Sequence, residues 1–142
     1  MSFQIDRITD NDLELLRLQD KATDTTISIL PAYGALLHGF DVPLNGGRIN
    51  IIDHYNGKAD LEKDLAVSYK SAKLSPFACR LPDGQYNFDD KVYEFANRFG
   101  DGTAIHGLLY NKPFHLTDKF TDDQQAAVRL RHPGEGARWS RL

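Results

Sequence analysis

Hydrophobic positions along this chain recur at short range. Ile27 and Ile29 alternate with Thr26 and Ser28, the two-residue period of a half-buried strand. A second run sets Leu36, His38, Phe40 and Val42 on one face, and Ile49 and Ile51 continue the period. Pro31, Gly34, Pro43, Gly46 and Gly47 interrupt these runs and stop any of them from continuing as a helix. Over residues 84–95 two alternating aromatic runs flank Asp89-Asp90, which predicts a hairpin with Tyr86, Phe88, Tyr93 and Phe95 paired across its strands as part of the core. Val128 and Leu130 alternate with Ala127, Arg129 and Arg131 and predict another half-buried strand. Only residues 60–69 invite a helix, with Asp60 as its cap and Leu61, Leu65 and Tyr69 recurring every four positions. The prediction is a mainly β chain, sheet packed on sheet.

There is no repeat and no low-complexity linker. Residues 131–142 differ in texture, rich in Arg and Gly and without a strand period, so the expected division is a domain over 1–130 and a tail over 131–142. That tail reads either as a mobile chain end or as a segment whose Trp139, with Arg131, Arg138 and Arg141 nearby, stacks on a partner.

Composition narrows the classes. With 142 residues the chain suits one domain with a substantial core. Its 17 basic and 20 acidic side chains leave a net charge of −3, which removes the electrostatic case for nucleic acid or an anionic membrane as partner. No apolar run approaches the length of a membrane helix, and the first residues show neither a basic start nor a secretory core. A single cysteine, Cys79, excludes an internal disulfide and any multi-cysteine metal site. A soluble, cytoplasmic domain is the expectation.

Common catalytic motifs are absent: no phosphate loop, no nucleophile elbow and no His-Glu-x-x-His pair. The histidines at 38, 54, 106, 115 and 132 do not share the spacing of a helical metal site, so no metal is expected. Alternation over residues 77–81 puts Phe77, Cys79 and Leu81 toward the core, making Cys79 a small buried apolar residue. Arg80 then points to the opposite face, either as a solvated sheet arginine or as a rigidly held fork of donors for ligand oxygens. His106 lies among Gly100, Gly102 and Gly107, which clear space around it; it reads as a structural histidine or as an acid and hydrogen-bond donor. His38 reads as a satisfied sheet histidine, and His54 and His115, beside turn residues, as solvated.

Four of these stretches, in order, resemble the aldose 1-epimerase (galactose mutarotase) family. Residues 27–35 (ISILPAYGA) look like its early strand, turn and Gly-Ala; residues 75–81 (SPFACRL) like its arginine strand; residues 84–95 like the following hairpin; and residues 103–107 (TAIHG) like its His-Gly segment. His106 follows Arg80 by 26 residues. Asn97-Arg98 copies a family dipeptide but falls after the hairpin, whereas Arg80 holds the family position with Cys79 in place of the usual asparagine.

The resemblance implies an antiparallel β-sandwich with a sugar cleft on one sheet. It also implies cofactor-independent interconversion of α and β anomers of a hexose. A glutamate takes the proton of the anomeric hydroxyl, a histidine protonates the ring oxygen, and the ring opens. It assigns Arg80 and His106 to substrate binding, with His106 assisting the protonation. Members are expected at about twice this length. The chain therefore resembles an amino-terminal half, with the principal acid histidine and base glutamate outside it and weak activity alone. Unpaired strand edges then imply a homodimer or larger species. Two other readings stand beside it: a non-catalytic carbohydrate-binding sandwich, and a structural half-domain without ligand.

Overall fold

Strands that follow one another in the chain pair in the same order. The computed structural model describes residues 2–133. Among them β1 (Phe3–Asp10), β2 (Leu13–Asp20), β3 (Thr25–Leu30), β4 (Leu36–Leu44) and β5 (Gly47–Asn50) form one five-stranded sheet, each strand antiparallel to the last. Helix α1 (Lys58–Ser68) follows, then β6 (Arg80–Leu81), β7 (Gln85–Phe88), β8 (Lys91–Glu94), β9 (Ala104–Ile105), β10 (His115–Thr121) and β11 (Ala126–Arg131). The later strands pair as three short ladders: β6 with β9, β7 with β8, and β10 with β11. The chain is mainly β, as the alternation predicted, and antiparallel, as the family resemblance implied. Strands β1 and β2 lay outside the runs read above, although Leu13, Leu15 and Leu16 prove to be core residues.

The two faces of the large sheet are covered differently. On one, Leu13, Leu15, Leu30 and Leu36 pack with Leu61 and Leu65 of α1, with Tyr55 and with Tyr110. This is the main buried cluster, and Leu61 and Leu65 lie on it at the predicted four-residue spacing. The helix starts three residues earlier than expected. Gly57, not Asp60, is its N-cap, at φ 95°, and a Cβ there would come within 2.9 Å of the Asn11 carbonyl oxygen. Asp60 instead accepts a bond from the Asn56 N–H at 2.8 Å.

The opposite face carries Ile5, Leu16, Leu18, Ile27, Phe40, Val42 and Ile49, aligned by the strand register. The β10–β11 hairpin contacts β1 and β2 on this side, beginning a second layer. Toward β5 the face is bare among the described residues, with Leu44, Ile49 and Ile51 exposed at 51%, 44% and 54%.

Strand β4 departs from the expected alternation. Leu36 pairs with Leu30 and Leu37 with Ile29, but Gly39 pairs with Ser28, which leaves His38 as an extra residue in a β-bulge. The bulge shifts the phase by one. Leu36 and Phe40, predicted on one face, lie on opposite faces because their partners Leu30 and Ile27 do.

The predicted hairpin forms as β7–β8 around Asp89-Asp90, whose φ values of 52° and 55° suit a tight two-residue turn. Tyr86 stacks on its cross-strand partner Tyr93 at 5.1 Å. Phe88, however, pairs with Lys91 and is 68% exposed, so the hairpin is an outlying flap, anchored through Phe95, 3% exposed and edge-on to Phe77 at 4.9 Å. The last strand reaches Arg131, and the His132 Nδ1–H donates to the Pro113 carbonyl at 2.8 Å. The rest of the expected tail, including Glu135, Arg138, Trp139 and Arg141, lies outside the described residues.

Burial separates the two phenylalanines. Phe95→Ala is expected to cost about 3–5 kcal/mol in urea unfolding, and Phe88→Ala to stay within about 0.5 kcal/mol of wild type. Equal losses for the two would contradict this account of the hairpin.

Candidate active site

Arg80 and Leu81 lie opposite Ile105 and Ala104 in the β6–β9 ladder. The ladder stops there because the chain turns at both flanking residues, with Cys79 at φ 61° and His106 at φ 58°. Pairing nevertheless continues one step further in a different form. The His106 N–H donates to the Cys79 carbonyl at 3.1 Å, and the Cys79 N–H donates to His106 Nδ1, also at 3.1 Å. A ring nitrogen that accepts a hydrogen bond carries no proton, so in neutral His106 the proton sits on Nε2. The backbone thereby selects the tautomer that offers Nε2–H as a donor.

The turn at Cys79 also corrects its expected burial. Alternation over 77–81 requires extended backbone throughout, and the left-handed residue breaks it, so Phe77 is half-buried while Cys79 is exposed. Arg80 is exposed as well. Its charge helps hold the Asp101 carboxyl below the usual carboxylate range, behind the larger effect of hydrogen bonds from Thr103, whose N–H donates at 2.9 Å.

His106 itself is half-buried. The ring of Tyr69 meets it edge-on at 4.5 Å, and Tyr69 in turn meets Tyr110 at 5.1 Å. Burial raises the Tyr69 phenol, and Tyr110 pushes the same way. Behind His106, the Leu108 N–H donates to the Ser75 carbonyl at 2.7 Å. Gly107, at φ 74°, makes that approach possible, since a Cβ there would collide with the same carbonyl.

A cavity of about 150 Å³ adjoins β9, walled by Tyr69, Tyr110, Ile105, Phe99, Asn97 and Arg98, with Ala66. Arg80 and His106 flank Ile105, one across the ladder and one along the chain, but do not line this space. Arg98 is tied into the hairpin: its Nε donates to the Phe95 carbonyl at 2.7 Å, and its stem fills the space over Gly84.

The remaining histidines separate by environment. His54 and His115 are exposed, as expected. His38 is 7% exposed, but it is not satisfied in the way the sequence suggested, because its Nδ1 has no hydrogen-bond partner. Burial in the bulge pushes its pKa down and His54, edge-on at 5.9 Å, adds to this, while Asp10 and Asp41 act in the opposite sense. Among the described residues no group of three or more His, Cys, Asp or Glu is placed to hold a metal ion, and no helix is long and apolar enough to cross a membrane.

The family model for aldose 1-epimerase matches residues 14–140. The chain belongs to the aldose 1-epimerase family. Its fold is similar to that of a galactose mutarotase-like protein from Clostridium acetobutylicum, with a TM-score of 0.74 and 19% identity, over 97% of this chain and 42% of that one. It is also similar to a galactose 1-epimerase from Lactobacillus acidophilus, with a TM-score of 0.63 and 20% identity, over 90% of this chain and 37% of the other. This aldose 1-epimerase family chain therefore spans about two fifths of the length of these solved structures. No curated protein matches it.

Two outcomes test this geometry. In the aldose 1-epimerase family chain, Gly107→Ala should cost at least about 1–2 kcal/mol for the left-handed backbone alone and should strip the Cys79 amide of its hydrogen-exchange protection. Retained protection would show that the Ser75 contact does not hold the corner. For His38, the unfolded chain takes up a proton near pH 6.5 while the folded chain resists until lower pH, so the unfolded state binds more protons in between. Stability is then complete above pH 6.5 and falls as the pH drops through that value. Urea melts at pH 7.5 and 5.5 should show this loss in wild type and a smaller one in His38→Gln.

Proposed function

We propose that this chain binds a hexose at the β6–β9 corner, with Arg80 and His106 as hydrogen-bond donors of an aldose 1-epimerase site. The observation that carries the reading is the Cys79 N–H bond to His106 Nδ1, which leaves Nε2–H as the ring's donor, within a chain of this family. In anomer interconversion a base removes the proton of the anomeric hydroxyl as the C1–O5 bond breaks, and the ring oxygen takes up a proton from an acid. His106 assists at the ring oxygen, and Arg80 holds substrate oxygens against its planar fork of donors. No cofactor takes part.

A second reading, a carbohydrate-binding module without full catalysis, draws support from Asp101. It is a carboxylate that feels the charge of Arg80, and its lowered pKa makes it a weak general base. With neither a strong base nor a second acid assigned to this chain, mutarotation by the chain alone should stay near the uncatalysed rate. A cytoplasmic setting fits the exposed thiol of Cys79, which a reducing compartment keeps unpaired. Self-association belongs to the same proposal: the bare apolar face near β5 and the sheet edges at β1 and β5 favour a homodimer or larger species.

Amide spectra recorded with added galactose should shift at residues 79–81 and 103–107, and His106→Asn and Arg80→Ala should each weaken binding about tenfold. An unmoved spectrum at saturating sugar would overturn the binding site, and brisk anomer exchange by His106→Asn would overturn the role of the histidine. Light scattering should show a dimer or larger species that Ile51→Lys shifts toward monomer; a monodisperse wild-type monomer would refute the association.

A further inference from the structure

The His106 imidazole is held by two contacts of different kinds. The Cys79 N–H fixes the position of Nδ1 at 3.1 Å. A single hydrogen bond is compliant, so the ring can still rock about its Cα–Cβ and Cβ–Cγ bonds, and Nε2 rocks with it. The second contact is the ring of Tyr69, 4.5 Å away and inclined at 69°. This edge-to-face geometry is the arrangement aromatic rings prefer, and it opposes that rocking.

Tyr69 is itself firmly held. It is the left-handed C-cap of α1, at φ 51°; its N–H donates to the Leu65 carbonyl at 3.1 Å, and its own carbonyl accepts from the Ala72 N–H at 3.1 Å. Its ring rests on Tyr110, which is 8% exposed and belongs to the buried cluster under the helix. A rigid path thus leads from the core through Tyr110 and Tyr69 to the imidazole. Tyr69 also lines the cavity beside β9, together with Ile105, the residue before His106.

We infer that Tyr69 is a positioning residue that sets the direction of the His106 Nε2–H bond. This inference rests on the proposed role of His106 as a donor to sugar. Helix α1 then serves the site through its C-cap residue, in addition to covering the sheet.

The test uses the full chain, isotope-labelled and without sugar, followed by galactose titration. In wild type the His106 ring protons should show cross-relaxation to the Tyr69 ring and ring-current displacement, with long-range proton–nitrogen correlations of a single Nε2–H tautomer. Tyr69→Phe should keep all of these except any hydroxyl signal. Tyr69→Leu, apolar but without a ring, should lose the displacement, keep the Nε2–H tautomer with broadened His106 ring signals, and bind galactose about tenfold more weakly than Tyr69→Phe. Absence of Tyr69–His106 cross-relaxation in wild type would overturn the inference. So would a folded Tyr69→Leu chain with an unchanged His106 pattern, or a Tyr69→Phe chain whose pattern collapses. Should Tyr69→Leu fail to fold, the wild-type and Tyr69→Phe spectra still decide. The expected ring signals in a chain that does not bind galactose would support the positioning and overturn only the sugar-binding reading.

Discussion

The packing of α1 on the first sheet is the constraint on which the rest of this structure depends. Leu61 and Leu65 are buried against Leu13, Leu15, Leu30 and Leu36, and full burial of each such side chain contributes about 1.5–3 kcal/mol. The same cluster includes Tyr55, whose hydroxyl accepts from the Lys70 N–H at 3.0 Å just past the helix end. It also includes Tyr110, from the segment that follows His106. Once the helix is seated, its C-terminus and the histidine turn must lie side by side. Loss of that packing would release both.

The corner built on this support uses backbone more than side chains. Two left-handed residues, Cys79 and His106, face each other across the end of a short ladder and exchange one backbone bond and one bond to the imidazole. A non-glycine residue in that conformation costs free energy, so each is held there by its surroundings. The result fixes a tautomer without any carboxylate partner. It also places Arg80 in solvent near Asp101, where its charge is open to a ligand rather than spent in the core.

The sheet presents its two faces unequally. One is closed by α1 and its aromatic neighbours; among the described residues the other is covered in part by β10–β11 and bare toward β5. The chain, a member of the aldose 1-epimerase family, spans 37% and 42% of two solved structures of similar fold.

Alternation, turn residues and the Leu61–Leu65 spacing were enough to determine a mainly β chain, helix α1 and the Asp89-Asp90 hairpin, because these depend on neighbours in sequence. The order of the Arg80 and His106 segments was legible in the same way. Three things were decided only by tertiary structure. The bulge at His38 reverses which face Phe40 takes, and it arises from the pairing of β4 with β3, not from β4 alone. The exposure of Cys79 follows from a left-handed turn that the strand-like residues 77–81 do not announce; it is stabilised by His106, far along the chain. The contact of Tyr69 with His106 exists because α1 and β9 meet over a shared core, and its helical spacing marked Tyr69 only as a core residue. Local periodicity reports which elements form. Residues distant in sequence, brought together by burial, decide which way the chemically useful side chains face.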